Sequence, residues 1–185
     1  MIKPLRFPAL QSRLRYFFLL PLLICLYGCP FSSSYKLDAD PAEYADDQLV
    51  GNWATMVTTA SGKEGPVKMS VRKKNDMEYS IDFTGDIYDM KPFGIVTQDS
   101  IKCNAYISNA SGFRFLNISI QGQIYIAEFI LKDNRLSVLP LAEKFTAKLI
   151  RSDSDLRNAV EFHFKTRVKP VYDEPFCLRE MVRVN

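Results

Sequence analysis

From Trp53 to Phe83 apolar and polar residues alternate with a period of two. Trp53, Thr55 and Val57 alternate with Ala54, Met56 and Thr58; Val67, Met69 and Val71 with Lys68, Ser70 and Arg72; and Met77, Tyr79, Ile81 and Phe83 with Glu78, Ser80, Asp82 and Thr84. Successive side chains of a strand point to opposite faces, so this pattern predicts half-buried antiparallel strands. Ser61 to Pro66 reads as a loop and Lys74-Asn75-Asp76 as a hairpin turn. Asp86 to Pro92 is loop-like and Phe93 to Thr97 a weak strand, followed by a clear strand through Ile101, Cys103, Ala105 and Ile107. After Asn109 to Gly112, Phe113 and Phe115 open a strand whose apolar parity moves to Leu116, Ile118 and Ile120, the signature of a β-bulge. Ile124 to Leu131 is apolar on both faces, as in a central strand, and a turn at Lys132-Asp133-Asn134 leads into Leu136 to Leu139. About eight short strands in succession predict a mainly β chain, an antiparallel up-and-down β-barrel or a sandwich.

The rhythm changes at Pro140. Leu141, Phe145, Leu149 and Ile150 fall at helical spacing, and Ser152 with Asp155 three residues on reads as the start of a second helix carrying Leu156, Ala159, Val160 and either His163 or Phe164 on its apolar face. Val168 to Glu174 is a Pro-containing connector, and Phe176 to Val184 returns to strand character as a closing strand.

The N-terminal part follows different rules. Lys3, Arg6, Arg13 and Arg15 precede an apolar run from Tyr16 to Tyr27 that is broken by Pro21. A spanning helix needs about 20 apolar residues, so this charged-then-apolar order predicts an export signal over residues 1–28. The run ends in Leu26-Tyr27-Gly28-Cys29, which resembles the lipobox of bacterial lipoproteins. That resemblance implies a lipidated Cys29 at the mature N-terminus. In Gram-negative relatives an Asp after the lipidated Cys retains the protein in the inner membrane; Pro30 stands there in this chain, which implies the outer membrane, facing the periplasm. Residues 29–48, rich in Ser, Asp and Glu with little periodicity, read as the lipidated N-terminus and a flexible tether, and residues 49–185 as the barrel domain.

Charge bears on partners. The formal charge of +3 hides an asymmetry, because the signal holds four of the 24 Lys and Arg and none of the 21 acidic residues. The remainder is near neutral, and nothing calls for nucleic acid. With Cys25 in the signal and Cys29 lipidated, Cys103 and Cys177 are left. In an oxidising envelope they either pair as one disulfide, or Cys103, on a face with Ile101, Ala105 and Ile107, serves as a small buried hydrophobe.

The order of elements resembles a lipocalin, or more broadly a calycin barrel. Gly51-x-Trp53 opens the first strand, a meander follows, then a helical piece and a closing strand. The resemblance implies that Trp53 plugs one barrel end and that an Arg of the closing region, Arg179 or Arg183, packs over it. A second helix departs from the family's layout. Separately, Tyr125 to Leu141, Ser154-Asp-Leu-Arg and Glu174-Pro-Phe-Cys-Leu-Arg look like the C-terminal half of a group of uncharacterised bacterial lipoproteins.

Candidates for catalysis are few. His163, between Phe162 and Phe164, has no Cys, Asp or Glu at metal-ligand spacing, and no nucleophile elbow, phosphate loop or paired-Cys motif occurs. Asp86, Asp89 and Asp99 lack the alternation of a calcium loop and read as solvated charges. The expectation is therefore a binding module rather than an enzyme, with no cofactor and no metal. Its membrane contact is the lipid, and its partner is either an envelope protein bound through the barrel loops or a small apolar ligand. In the second case Met69, Tyr79, Ile81, Phe83, Phe115 and Tyr125 would line the cavity.

Overall fold

The structure is a computed structural model that describes residues 31–58, 64–85, 100–166 and 172–184. Its strands are β1 (Ser32–Ser33), β2 (Gly51–Thr58), β3 (Glu64–Lys73), β4 (Glu78–Gly85), β5 (Ser100–Ala110), β6 (Phe113–Ile120), β7 (Gln123–Lys132), β8 (Arg135–Pro140) and β9 (Leu178–Val184), with one helix, α1 (Asp153–Thr166). From β2 to β8 each strand pairs antiparallel with the next, and β9 pairs with both β8 and β2. The result is a closed eight-stranded antiparallel barrel, with β1 added against β7. The weak strand expected at Phe93 to Thr97 lies outside the described residues, as do Asp86, Asp89 and Asp99.

Alternation decides the inner face. Val67, Met69 and Val71 of β3 stand beside Phe83, Ile81 and Tyr79 of β4, which in turn stand beside Ile101, Cys103 and Ala105 of β5, and all are buried in one core. The opposite face of β3 and β4 carries Lys68, Ser70, Arg72, Ser80, Asp82 and Thr84, as expected for a wall that meets water on one side.

The wall from β5 to β7 is covered instead. Ala110, Phe115, Ile124 and Ile126 face outward into a second core, where they meet Leu156, Ala159, Val160 and Phe164 of α1. This explains the parity change in β6, and it corrects the bulge expected there. Its pairing with β5 runs without a shift from Ala110↔Phe113 to Asn104↔Ser119, so Phe115 packs under the helix while Leu116 and Ile118 point into the barrel. A strand buried on both faces is apolar at both parities. The register shift belongs to β8 and β9, between Leu136 and Val138, where Glu180 adopts φ 50° and its N–H is taken by Ser137 Oγ at 3.0 Å. That shift turns Leu178 and Met181, three apart in sequence, into the same core.

Helix α1 starts as its capping residues dictate. Ser152 Oγ accepts the Asp155 N–H at 3.0 Å, and Asp155 Oδ2 accepts the Arg151 N–H at 3.0 Å. The helix expected at Leu141 to Ile150 is not formed. Leu141 continues the strand direction, donating to Ile126 O at 2.9 Å and bridging to Tyr172, and only a single 3-10 turn follows at Glu143–Phe145 before Thr146 returns to extended backbone. Leu141 and Phe145 bury, but Leu149 is 70% exposed, so the 3.6-residue spacing did not mark a helical face.

The segment expected to be a flexible tether is a strap. Phe31 N–H donates to Leu141 O at 2.8 Å, β1 pairs with Tyr125 and Ile124, and the Leu37 N–H donates to Asn117 Oδ1 at 2.8 Å. Leu37 is fully buried between β6 and α1, while Arg157 of the helix pairs with Asp38 at 2.5 Å. Further on, Ala45 and Leu49 join the barrel core. The acidic composition was misleading because a few apolar residues and one buried amide acceptor are enough to dock the chain.

Candidate functional site

The barrel end at the start of β2 is built around Trp53. Its ring is fully buried, and its indole N–H donates to Leu49 O at 2.9 Å, so the strap's last turn and the plug hold each other. Cross-strand pairing places Arg183 beside Trp53, with the guanidinium carbon 4.7 Å from the ring centroid and Nη2 donating to Gln48 O at 2.7 Å. Gly51 makes room for this lid: it has φ +142°, and a Cβ there would come within 3.3 Å of Arg183 Nη1. Of the two arginines considered for the lid, Arg183 takes the place. Arg179 turns away to Glu174, its Nη2 donating to both carboxylate oxygens at 2.9 Å. Outside the lid lies an open cleft of about 410 Å³ bordered by Asp47, Gln48, Lys132, Asp133 and Asn134, a polar and charged rim.

The side chains expected to line a cavity are spread over three environments. Met69, Tyr79 and Ile81 are at most 1% exposed in the barrel core. Tyr79 also works as a latch: its hydroxyl accepts the Asp46 N–H at 2.5 Å and lies 3.3 Å from Asp46 O, and burial pushes its pKa up to about 12. Phe83 and Tyr125 sit toward the other barrel end, where Val57, Ile120 and Tyr125 are only partly buried against the core. Phe115 does not belong to the interior at all, since it faces α1 and meets Phe164 edge-on at 5.0 Å.

Cys103 and Cys177 are both free thiols, so of the two readings left open, a bridge or a small buried hydrophobe at Cys103, the structure has the second. Cys103 faces the barrel interior, its Sγ 3.7 Å from Ile81 O, whereas Cys177 lies at the start of β9 with Sγ 3.4 Å from Asp173 O. Burial pushes both pKa values up to about 12, so each thiol stays protonated and neither is poised as a nucleophile. His163 is buried in α1 against Phe145 and Phe164. Among the described residues no group of three or more His, Cys, Asp and Glu is arranged to hold a metal ion.

Two buried carboxyl groups, Glu128 and Asp173, were not visible as such in the sequence. Glu128, on the outer face of β7, accepts a hydrogen bond from the Tyr172 hydroxyl, and burial raises its pKa. Beside Tyr172 in sequence, Asp173 is 5% exposed, its Oδ2 has no hydrogen-bond partner among the described residues, and burial pushes its pKa up to about 6. A folded carboxyl with a raised pKa holds its proton where the unfolded chain has lost it, so stability falls as pH rises from the ordinary aspartate range through about 6. Urea midpoints measured across that window should decline in the parent and flatten in Asp173→Asn. The difference should be at most about 3 kcal/mol, since each pKa unit is worth about 1.4 kcal/mol. An unchanged slope in the variant would assign the pH dependence elsewhere.

No family model, curated protein or solved structure matches this chain.

Sequence reading missed the polar pins of the strap, Asn117 and the Asp38 to Arg157 pair. One signal was available for the first: Asn117 falls between Leu116 and Ile118 in β6, and a buried amide there needs partners, found in the Leu37 N–H and in Ser108 Oγ at 2.8 Å.

Proposed function

We propose that this chain is an envelope lipoprotein, anchored by acyl chains on Cys29 at the outer membrane and facing the periplasm, whose barrel is a rigid interaction module that binds an envelope protein through its loops. The observation that carries this reading is the state of the barrel interior. Trp53, Met69, Val71, Tyr79, Ile81, Ile107, Leu116, Leu136 and Met181 are at most 1% exposed. A void wide enough for a ligand would leave water-sized access along its walls, and these walls have none. Eight-stranded barrels are narrow enough to be filled by side chains, and a filled barrel offers its surface rather than a cavity. The anchor and its address rest on the basic residues before Tyr16, on Leu26-Tyr27-Gly28-Cys29 and on Pro30. The reading is one of binding, without catalysis and without a cofactor.

A second reading, a lipocalin-like carrier or sensor of a small apolar ligand, draws on the end away from Trp53. There Val57, Ile120 and Tyr125 stay partly exposed beside Phe83, which would give a shallow apolar mouth. Native mass spectrometry of the whole protein, released by detergent from its own envelope, separates the two. A co-purifying polypeptide with no small-molecule adduct is the expected result. A stoichiometric adduct beyond the N-terminal acyl groups, identified by lipid extraction, would replace the interaction module with a carrier.

A further inference from the structure

The strap brings the start of the domain to a defined place. Phe31 stacks edge-on against Phe145 at 4.8 Å, and Phe145 in turn stands 6.3 Å from the ring of His163 on α1. The residue before His163, Phe162, points the other way and is 59% exposed, and Leu149 is 70% exposed. Lys148 Nζ lies 5.2 Å from the Phe162 ring centroid, and Lys144 and Arg151 are exposed along the same stretch. Of the nearby acids, Glu161 pairs with Arg157 and Lys165, Asp153 accepts the Lys36 backbone N–H and Asp155 accepts the Arg151 backbone N–H, so Glu143 and Asp155 are the exposed counter-charges to Lys144, Lys148 and Arg151.

Cys29 precedes Phe31 by two residues. A chain spans at most about 3.6 Å per residue, so an anchor there reaches only about 7 Å beyond Phe31. An acyl-bearing Cys29 cannot hold the domain far from the bilayer, so Phe31, and with it the segment from Phe145 to Leu149 against which it packs, stays near the leaflet. Apolar side chains flanked by cations that bury their stems and keep their heads in water are the chemistry of an interfacial contact with phospholipid. We propose that the face carrying Leu149 and Phe162, with Lys144, Lys148 and Arg151, rests on the phospholipid leaflet that holds the acyl chains of Cys29. This rests on the lipoprotein reading. It turns the anchor from a leash into a fixed mount, with α1 toward the membrane and the β2 to β4 wall away from it.

The test uses the full lipidated chain in vesicles of phosphatidylethanolamine and phosphatidylglycerol, with or without bromine on the acyl chains. Single variants Phe162→Trp, Leu149→Trp and, on the far wall, Met56→Trp are compared after subtraction of the buried Trp53 signal. The mass of the N-terminal peptide reports acylation of Cys29 in the same samples. Expected is an acylated Cys29 with tryptophans at 162 and 149 quenched at least about twofold more than at 56, as an interfacial face requires. Equal quenching at all three sites with Cys29 acylated overturns the mount and leaves the lipoprotein intact. A blue-shifted emission at 162 without quenching means that a protein covers the face, which also overturns it. An unacylated Cys29 removes the lipoprotein reading and the mount together.

Discussion

Replacing Trp53 with alanine should lower the unfolding free energy by about 3 to 5 kcal/mol, the usual cost of deleting a large buried aromatic. Three losses coincide at this position. The ring fills the barrel end and is fully buried, so its removal leaves a void between the strap and the core. The indole N–H no longer satisfies Leu49 O, and the Arg183 guanidinium loses the face it lies on. Arg183→Ala should cost much less, about 1 kcal/mol, because a partly exposed cation over a ring is worth about that. Urea unfolding at constant m-value checks both. A Trp53→Ala protein as stable as its parent would mean that Trp53 does not plug the barrel, and a larger effect for Arg183 than for Trp53 would make the lid, not the plug, the organising group.

How well each strand could be read depended on what covers it. β3 and β4 have one wet face, so hydrophobicity alone fixes both their period and their inward set, and Met69, Tyr79 and Ile81 fall where alternation puts them. β6 and β7 have helix on one side and core on the other. Their apolar residues occupy both parities, and no pattern in the strand itself says that Phe115 looks outward. The reading of a bulge there followed from assuming a single buried face. Helical spacing failed at Leu141 to Ile150 for a related reason: Leu141 and Phe145 are buried by a continuing strand edge and one tight turn, which the spacing does not distinguish from a helix.

The site was legible where it depends on a local device and hidden where it depends on a distant partner. Gly51, Trp53 and Arg183 each have a recognisable role, and pairing of β2 with β9 brings them together. The choice between Arg183 and Arg179 is set by Glu174, which captures Arg179. The free state of Cys103 and Cys177 is likewise a matter of placement, one inside the barrel and one outside it. Asp173 owes its raised pKa to burial in the folded chain, which no window of sequence contains.

The strap carries the second large effect. A chain that begins at Leu49, where the strand pattern starts, should be less stable than one beginning at Phe31 by roughly 3 to 8 kcal/mol. Losing a buried leucine costs about 2 to 5 kcal/mol, and leaving Asn117 Oδ1 without its donor adds about 1 to 3 kcal/mol. Leu37 is 1% exposed and supplies both the side chain and the N–H, so the two losses fall on one residue. The Asp38 to Arg157 pair, about a fifth to a third exposed, adds little. Set against a total of about 5 to 15 kcal/mol for a domain of this kind, the shorter chain stands near its unfolding threshold. Urea unfolding of the two chains, with Leu37→Ala as the intermediate case, measures the difference. If the chain from Leu49 unfolds at the same urea concentration as the chain from Phe31, the strap contributes nothing to the fold. The first residues of the domain would then be free to act as a leash, and the fixed mount at the membrane would lose its mechanical basis.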